Sequence, residues 1–119
     1  MSGILATAGS NSSTSINYHL VQFTAGCIEE HAVECLELAG FKFPMYSEDL
    51  EKSDGIPEQI TELRQRLQRA RGLILSVNEH NGNPSAFFKN LLDWFSRDER
   101  RFLDGTPVFL MSASCLLYT

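Results

Sequence analysis

The chain has 119 residues, 43% hydrophobic and 21% charged, which predicts one folded domain over residues 1–119 and excludes a disordered segment. Its formal net charge is −5, and because nucleic-acid phosphates are bound by clustered cations, no nucleic-acid partner is expected. No apolar run reaches transmembrane length, so no membrane span is expected. The three cysteines are widely spaced and include no Cys-x-x-Cys pair, which argues against a disulfide scaffold and a metal site. A reducing compartment, by default the cytoplasm, is therefore expected.

The first half of the chain predicts a strand, a helix, a second strand and a loop. Residues 4–8 are a short apolar run that ends at a glycine, which is typical of a buried central strand. A helix should begin at Ser15, because apolar residues then recur three and four positions apart. Its expected apolar face consists of Ile16, Leu20, Phe23 and Cys27. Residues 33–38 predict a weaker strand, and residues 41–55 predict a polar loop.

The second half continues the alternation of helices and strands. Pro57 followed by Glu58 indicates a helix start, and Gly72 should end that helix. Its expected buried stripe consists of Ile60, Leu63, Leu67 and Ala70. Further predicted elements are a strand at 73–77, a polar loop at 78–83, a helix at 84–97 with apolar residues on two sides, and a strand at 107–111.

This order of elements predicts an α/β fold in which helices cover a parallel sheet. Ligands of such folds bind at the carboxyl ends of the strands. The loops at residues 9–15 and 78–83, together with the segment that follows Met111, each come after a predicted strand, so they are the candidate site.

The first of these loops is rich in hydroxyl groups. Five hydroxyl side chains occur in six residues, namely Ser10, Ser12, Ser13, Thr14 and Ser15. Hydroxyls and the free N–H groups at a helix start can bind a phosphate without any cation. Capping of the helix explains one or two hydroxyls but not five, so phosphate binding is favoured.

The second loop carries amides, a glycine and an imidazole. The segment from Asn78 to Asn83 suits a planar heterocycle, and it suits an ordinary polar turn equally well. Glu79 and His80 are the only plausible acid–base pair, but helix capping by Glu79 and packing by His80 are the favoured roles. Cys27 and Cys35 are expected to be small buried hydrophobic residues. The residues therefore assign no catalytic group.

Together these segments resemble the NADPH-dependent FMN reductase family, the flavodoxin-like group that includes quinone, chromate and azo-dye reductases. The loop Gly9-Ser10-x-Ser12-x-x-Ser15-x-Asn17 is similar to the family's Gly-Ser-x-Arg-x-x-Ser-x-Asn. The segment 78–82, Asn-Glu-His-Asn-Gly, is similar to Pro-Glu-Tyr-Asn-Gly. Residues 89–94 resemble Lys-Asn-Ala-Leu-Asp-Trp, and residues 105–108 resemble Gly-Lys-Pro-Val.

The resemblance implies a flavodoxin-like doubly wound parallel sheet in three layers, with four of the usual five strands present. It implies FMN and NADPH or NADH as cofactors, hydride transfer to a flavin, quinone or other small acceptor, and a homo-oligomer, dimeric or tetrameric, formed through the helix at 88–95. The implied cofactor-binding residues are Ser10, Ser12, Ser15, Ile16, Asn17, Asn78, Glu79, His80, Asn81, Gly82 and Ser114. A truncated flavin-binding or interaction module without turnover, and an electron carrier, are the alternatives.

Three positions depart from the family pattern. Ser12 stands in place of Arg, and His80 stands in place of Tyr. After Ser114 the family continues with Pro-Gly-Gly-x-Gly-Gly, whereas this chain continues with residues 115–119, Cys-Leu-Leu-Tyr-Thr. The domain is therefore expected to be incomplete at its C-terminus, with the last strand as an open apolar edge through which the chain associates.

Overall fold

The computed structural model describes residues 3–114 and shows a parallel sheet with helices on both faces. In chain order the elements are β1 Ile4–Ala8, α1 Ile16–Gly26, β2 Val33–Leu36, α2 Glu48–Asp54, α3 Glu58–Arg69, β3 Gly72–Ser76, β4 Glu79–His80, β5 Asn83–Pro84, α4 Ala86–Asp98 and β6 Val108–Met111. Four strands form the main sheet in the order β2-β1-β3-β6, and β4 pairs with β5 in a separate hairpin.

All neighbouring strands of the main sheet are parallel, with Leu5 opposite Leu73 and Leu75 opposite Leu110. The carboxyl ends of β1, β3 and β6 therefore meet at one edge of the sheet. The loops that follow these three strands are brought together there.

Alternate residues of the central strands face two different cores. Leu5 and Leu73 belong to the larger core, which α3 and α4 cover. Ala6 and Ile74 point to the opposite face, where they pack with Val21 of α1. The predicted α/β class and its three layers are confirmed.

The predicted apolar face of α1 is wrong by one residue. The helix buries Asn17 and Val21, whereas Phe23 is 73% exposed and Ile16 is 49% exposed. Val21 lies against the small side chains on this face of the sheet, and Asn17 finds hydrogen-bond partners there. Cys27 is exposed as well, so its predicted burial is wrong.

The predicted loop at residues 41–55 contains a helix. Ser47 caps α2 by accepting a hydrogen bond from the Leu50 N–H at 3.0 Å, and three carboxylates follow in the first turn. A serine followed by acidic residues is a helix-start signal that the sequence did carry. Two smaller predictions also fail, because Gly72 begins β3 instead of ending α3, and Cys35 is exposed.

The two-sided apolar pattern of α4 is used within the chain. One side packs in the larger core, and residues 41–46 cover the other. Trp94 is fully buried and donates from Nε1 to the Pro44 carbonyl at 2.8 Å, while Asn90 accepts from the Tyr46 N–H at 2.7 Å. An interface between subunits through this helix stays a prediction.

Strand β6 exposes apolar side chains on both faces. Val108, Phe109 and Leu110 are 40%, 59% and 65% exposed. Within residues 3–114 no strand pairs with the outer side of β6. None of the helices in this range is long and apolar enough to cross a membrane.

Candidate functional site

A cavity of about 370 Å³ lies at the carboxyl ends of β1, β3 and β6. Its lining residues are Ser10, Ser12, Thr14, Ser15, Ile16, Asn17, Asn78, Glu79, His80, Asn81, Ala113 and Ser114. Ten of the eleven residues that the sequence assigned to the cofactor site are among them. Gly82, the eleventh, lies in an adjoining groove.

The hydroxyl groups of the first loop fold that loop upon itself. Ser10 Oγ accepts from the Ser12 N–H at 3.1 Å, and Ser12 Oγ accepts from the Thr14 N–H at 3.2 Å. Ser15 Oγ accepts from the Tyr18 N–H at 3.2 Å and caps α1. An oxygen that accepts in this way keeps its own O–H for donation. The Ser12 and Thr14 hydroxyls also lie 3.3 Å apart, so one of them donates to the other. Capping therefore accounts for Ser15, and the loop keeps hydroxyl donors at the cavity on Ser10 and on one residue of this pair.

The first turn of α1 adds main-chain donors. The intrahelical hydrogen bonds begin at His19, whose N–H donates to the Ser15 carbonyl at 3.2 Å. The N–H groups of Ile16 and Asn17 precede that bond and lie at the positive end of the helix dipole. Among residues 3–114, no Lys or Arg lines the cavity. An anion bound here would be held by neutral donors.

Close packing at Gly9 sets the start of this loop. A Cβ atom at Gly9 would lie 2.9 Å from Cγ of the Phe88 ring and closer still to Cδ1. The Gly9 N–H donates to the Ser76 carbonyl at 2.8 Å, and the Ser85 hydroxyl donates to the Gly9 carbonyl at 3.1 Å. The loop therefore leaves β1 in contact with α4, which only a residue without a side chain permits.

The second loop is a β-hairpin and not an irregular loop. His80 pairs with Asn83 across β4 and β5. The two residues between them, Asn81 and Gly82, have φ angles of 56° and 79°. Asn-Gly with two positive φ angles is typical of a two-residue hairpin turn, so the sequence carried a signal that the loop interpretation missed. Because Pro84 belongs to β5, α4 begins at Ala86.

Glu79 ties the hairpin to the loop after β6. Its Oε2 accepts from the Gly82 N–H at 2.6 Å, and its Oε1 accepts from the Ser114 hydroxyl at 3.0 Å. The hydrogen bond from Gly82, followed by that from Ser114, lowers the pKa of the Glu79 carboxyl below its ordinary value of 4.5. Glu79 therefore stabilises the hairpin as a carboxylate. The sequence had suggested helix capping for this residue, and that prediction is wrong.

The loop after β6 is held by three different elements. The Ser112 hydroxyl donates at 2.8 Å to the carbonyl of Val77, the residue that follows β3. Asn17 exchanges two hydrogen bonds with the main chain of Ala113, and Ser114 donates to Glu79. Sequence reasoning named Ser114 but missed Ala113, because no pattern in the chain points to a main-chain partner of Asn17.

A second groove, of about 680 Å³, adjoins the cavity. It is mostly apolar and is lined by side chains of β3, β6 and the start of α4. Asn78 and Glu79 line both spaces. Within the described range 3–114, no three or more His, Cys, Asp or Glu side chains lie where they could hold a metal ion.

A family model described as NADPH-dependent FMN reductase matches residues 3–117. The chain belongs to this family. The predicted family resemblance is confirmed, and the cavity stands at the sheet edge where the NADPH-dependent FMN reductase resemblance placed the cofactor-binding loops.

Curated relatives of this FMN reductase family chain include proteins of bacteria and of a plant, Oryza sativa. It is 30% identical over 71 residues to a quinone reductase of Escherichia coli, covering 60% of this chain and 38% of the relative. It is 29% identical over 111 residues to the CrdA subunit of an NADH:(hydroxy)cinnamate reductase of Vibrio ruber, covering 92% and 52%. An uncharacterized protein of Mycoplasma pneumoniae is 40% identical over 88 residues, covering 74% and 51%. The chain thus spans about half the length of these relatives or less.

Solved structures show the same fold. The flavoenzyme NAD(P)H:(acceptor) oxidoreductase FerB of Paracoccus denitrificans superposes with a TM-score of 0.73 at 23% identity, over 93% of this chain and 60% of that one. An NADH:FMN oxidoreductase in its apo form superposes with a TM-score of 0.67 at 17% identity, over 94% and 59%. The flavodoxin-like fold class expected from the sequence is confirmed, with four parallel strands in the described part.

Proposed function

We propose that this chain holds FMN in an NAD(P)H-dependent oxidoreductase whose second substrate is a small acceptor such as a quinone or a flavin. The observation that supports this most directly is the meeting of three loops at one cavity with uncharged donors. The names of relatives, which include a quinone reductase and an NADH:(hydroxy)cinnamate reductase subunit, point to the same class of reaction.

The first loop suits the FMN phosphate. The hydroxyls of Ser10, Ser12 and Ser15 lie at the cavity together with the N–H groups of Ile16 and Asn17. Hydrogen bonds from neutral donors and a helix N-terminus bind phosphate without a cation. This donor set is consistent with the replacement of the family's Arg by Ser12.

The hairpin suits the isoalloxazine ring. Asn78, His80 and Asn81 line the cavity beside the hydroxyl loop, and Gly82 faces the apolar groove. The buried Asn78 Oδ1 atom has no hydrogen-bond partner within residues 3–114, as expected where a ligand supplies the donor. Polar edges next to an apolar groove fit a flat heterocycle. The residues present therefore fit the group that the family implies.

FMN held here would supply the redox chemistry, namely hydride transfer from NADPH or NADH and transfer of two electrons to the acceptor. The role of the protein is to bind and orient. Glu79 accepts hydrogen bonds from the Gly82 N–H and the Ser114 hydroxyl, so it shapes the hairpin. No residue is assigned to proton transfer.

The first experiment is an FMN titration followed by flavin fluorescence. Ser10→Ala should weaken FMN binding about tenfold, since a hydrogen bond to a charged phosphate is lost. Ser15→Ala should weaken binding and also cost about 1 kcal/mol of stability through loss of the helix cap.

Ser47→Ala is the matched control. Ser47 caps α2 as Ser15 caps α1, but it does not line the cavity. This variant should lose the same stability and bind FMN normally. A folded wild-type chain that does not bind FMN would contradict the proposal and would favour an interaction module.

A flavin-binding module without turnover is the second candidate. It would use the same cavity, because holding FMN requires only the groups that line it. Steady-state oxidation of NADPH or NADH with an added quinone separates the two, because a binding module shows saturable FMN binding and no turnover.

Association and location are further parts of the proposal. The exposed side chains of Val108, Phe109 and Leu110 make β6 a surface through which a homo-oligomer could form. Sedimentation velocity of the wild type and of Phe109→Lys tests this, and a monomeric wild type would refute it. A cytoplasmic location stays a prediction.

A further inference from the structure

Asn78 stands at the first position of the hairpin motif, where the family has Pro. The motif that the sequence resembles begins with Pro, which has no side-chain hydrogen-bonding group, whereas this chain has a carboxamide. Asn78 follows β3 directly after Val77 and lines both the cavity and the adjoining groove. Its side chain therefore adds a polar group where the two spaces meet.

The nitrogen and the oxygen of this carboxamide differ in their hydrogen bonding. Asn78 Nδ2 donates to His80 Nε2 at 3.3 Å in the tautomer that leaves this ring nitrogen unprotonated. Asn78 Oδ1 is buried and has no hydrogen-bond partner among residues 3–114. A buried acceptor without a donor destabilises a folded protein, so such atoms call for an explanation.

The backbone holds the side chain in this position. The Asn78 carbonyl accepts from the N–H of Ser85, the N-cap of α4, at 3.1 Å. Helix α4 is itself anchored in the larger core. The Asn78 backbone is therefore fixed relative to the larger core.

We propose that Asn78 Oδ1 accepts a hydrogen bond from the N3–H group of bound FMN, an inference that rests on the proposed function. The oxidised isoalloxazine ring has a single N–H group, at N3, and Oδ1 is an acceptor that lacks a donor. Asn78 lies beside the hairpin, on the side of the cavity assigned to the ring, while the hydroxyl loop takes the phosphate. The residue thus positions the ring in a way that Pro cannot.

The test compares FMN with 3-methyl-FMN, which lacks the N–H donor. The wild type should bind 3-methyl-FMN about tenfold more weakly than FMN. Asn78→Leu, which has nearly the same size and no acceptor, should bind FMN about tenfold more weakly than the wild type and should not distinguish the two flavins.

Stability of the apoprotein provides a second readout. Asn78→Leu removes an unpartnered buried acceptor, so its midpoint of thermal unfolding should be equal to or above that of the wild type. Gln59→Leu is the control, because Gln59 is exposed on α3 and lines neither the cavity nor the groove. This variant should keep the wild-type preference for FMN over 3-methyl-FMN.

Two results would overturn the inference alone while the proposed function stands. One is a wild type that binds FMN and 3-methyl-FMN equally. The other is an Asn78→Leu variant that still prefers FMN over 3-methyl-FMN. The same conclusion would follow if this variant lost stability while its FMN affinity stayed unchanged. A wild type that binds neither flavin overturns the proposed function and this inference with it.

Discussion

The side chain of Asn17 exchanges two hydrogen bonds with the main chain of Ala113, a residue 96 positions further along the chain. Asn17 Oδ1 accepts from the Ala113 N–H at 2.9 Å, and Nδ2 donates to the Ala113 carbonyl at 3.0 Å. The Ser76 hydroxyl donates to the same Oδ1 at 2.5 Å. Asn17 is 2% exposed and Ser76 is fully buried, so water cannot replace these bonds. One amide on α1 thereby joins β3 and the loop after β6.

We expect Asn17→Ala to lower the free energy of unfolding by about 2–3 kcal/mol, because it leaves the buried Ser76 hydroxyl and the partly buried main chain of Ala113 without partners. Urea denaturation measures this difference. Gln22→Ala is the control, since Gln22 is exposed on the same helix, and its effect should stay within about 0.5 kcal/mol. Equal effects of the two substitutions would contradict the structural role of Asn17.

Gly9→Ala should lower the free energy of unfolding by about 1–3 kcal/mol through overpacking against Phe88. Phe88→Leu in the same chain should restore part of the loss, because it removes the ring that the new methyl group meets. Gly26→Ala is the matched control, since a Cβ at Gly26 meets nothing within 4 Å. Thermal unfolding of the four proteins measures these effects, and a Gly9→Ala variant as stable as the wild type would show that the contact relaxes freely.

Asp98→Ala should lower the free energy of unfolding by about 2 kcal/mol, between the values for exposed and fully buried ion pairs. Asp98 pairs with Arg64 at 2.8 Å and joins α4 to α3, and the two side chains are only 14% and 15% exposed. Lys52→Ala breaks the pair with Glu48, whose side chains are 73% and 72% exposed. That control should change stability by less than about 1 kcal/mol. Urea denaturation that ranks the two variants the other way would refute this assignment.

The Glu79 carboxyl should titrate below its ordinary pKa of 4.5, because the Gly82 N–H and then the Ser114 hydroxyl favour the ionised form. A lowered pKa in the folded state means that the contribution to stability is present above pH 4.5 and is lost as the pH falls through the folded value. NMR titration of the side-chain carboxyl carbon measures the midpoint. Ser114→Ala should move it up toward 4.5, and a wild-type midpoint at or above 4.5 would exclude these two hydrogen bonds.

Local patterns in the sequence were sufficient for the order of the main elements and for the class of the fold. The apolar runs at residues 4–8 and 73–77 predicted the two central strands, and the buried stripe of α3 at Ile60, Leu63 and Leu67 is confirmed. Alternation of strands and helices implies a parallel sheet, whose carboxyl edge gathers the loops. The three loops of the cavity were therefore predictable.

The hairpin and helix α2 both had signals in the sequence that were interpreted as loops. The Asn81-Gly82 pair marks the hairpin, and Ser47 followed by acidic residues marks α2. In both segments the polar composition was interpreted as a loop, although the same residues also favour a tight turn and a helix start.

The sequence by itself determined which segments become strands and helices, because hydrophobic periodicity and turn residues act over a few neighbouring positions. Only the tertiary structure decided which face of α1 is buried, that Asn17 binds Ala113, and that the Asn78 Oδ1 atom has no partner within residues 3–114. These outcomes depend on which groups lie close in space after the sheet has formed. Hydrogen bonding and burial depend on atoms at contact distance, and the separation of two residues along the chain does not predict their distance in space.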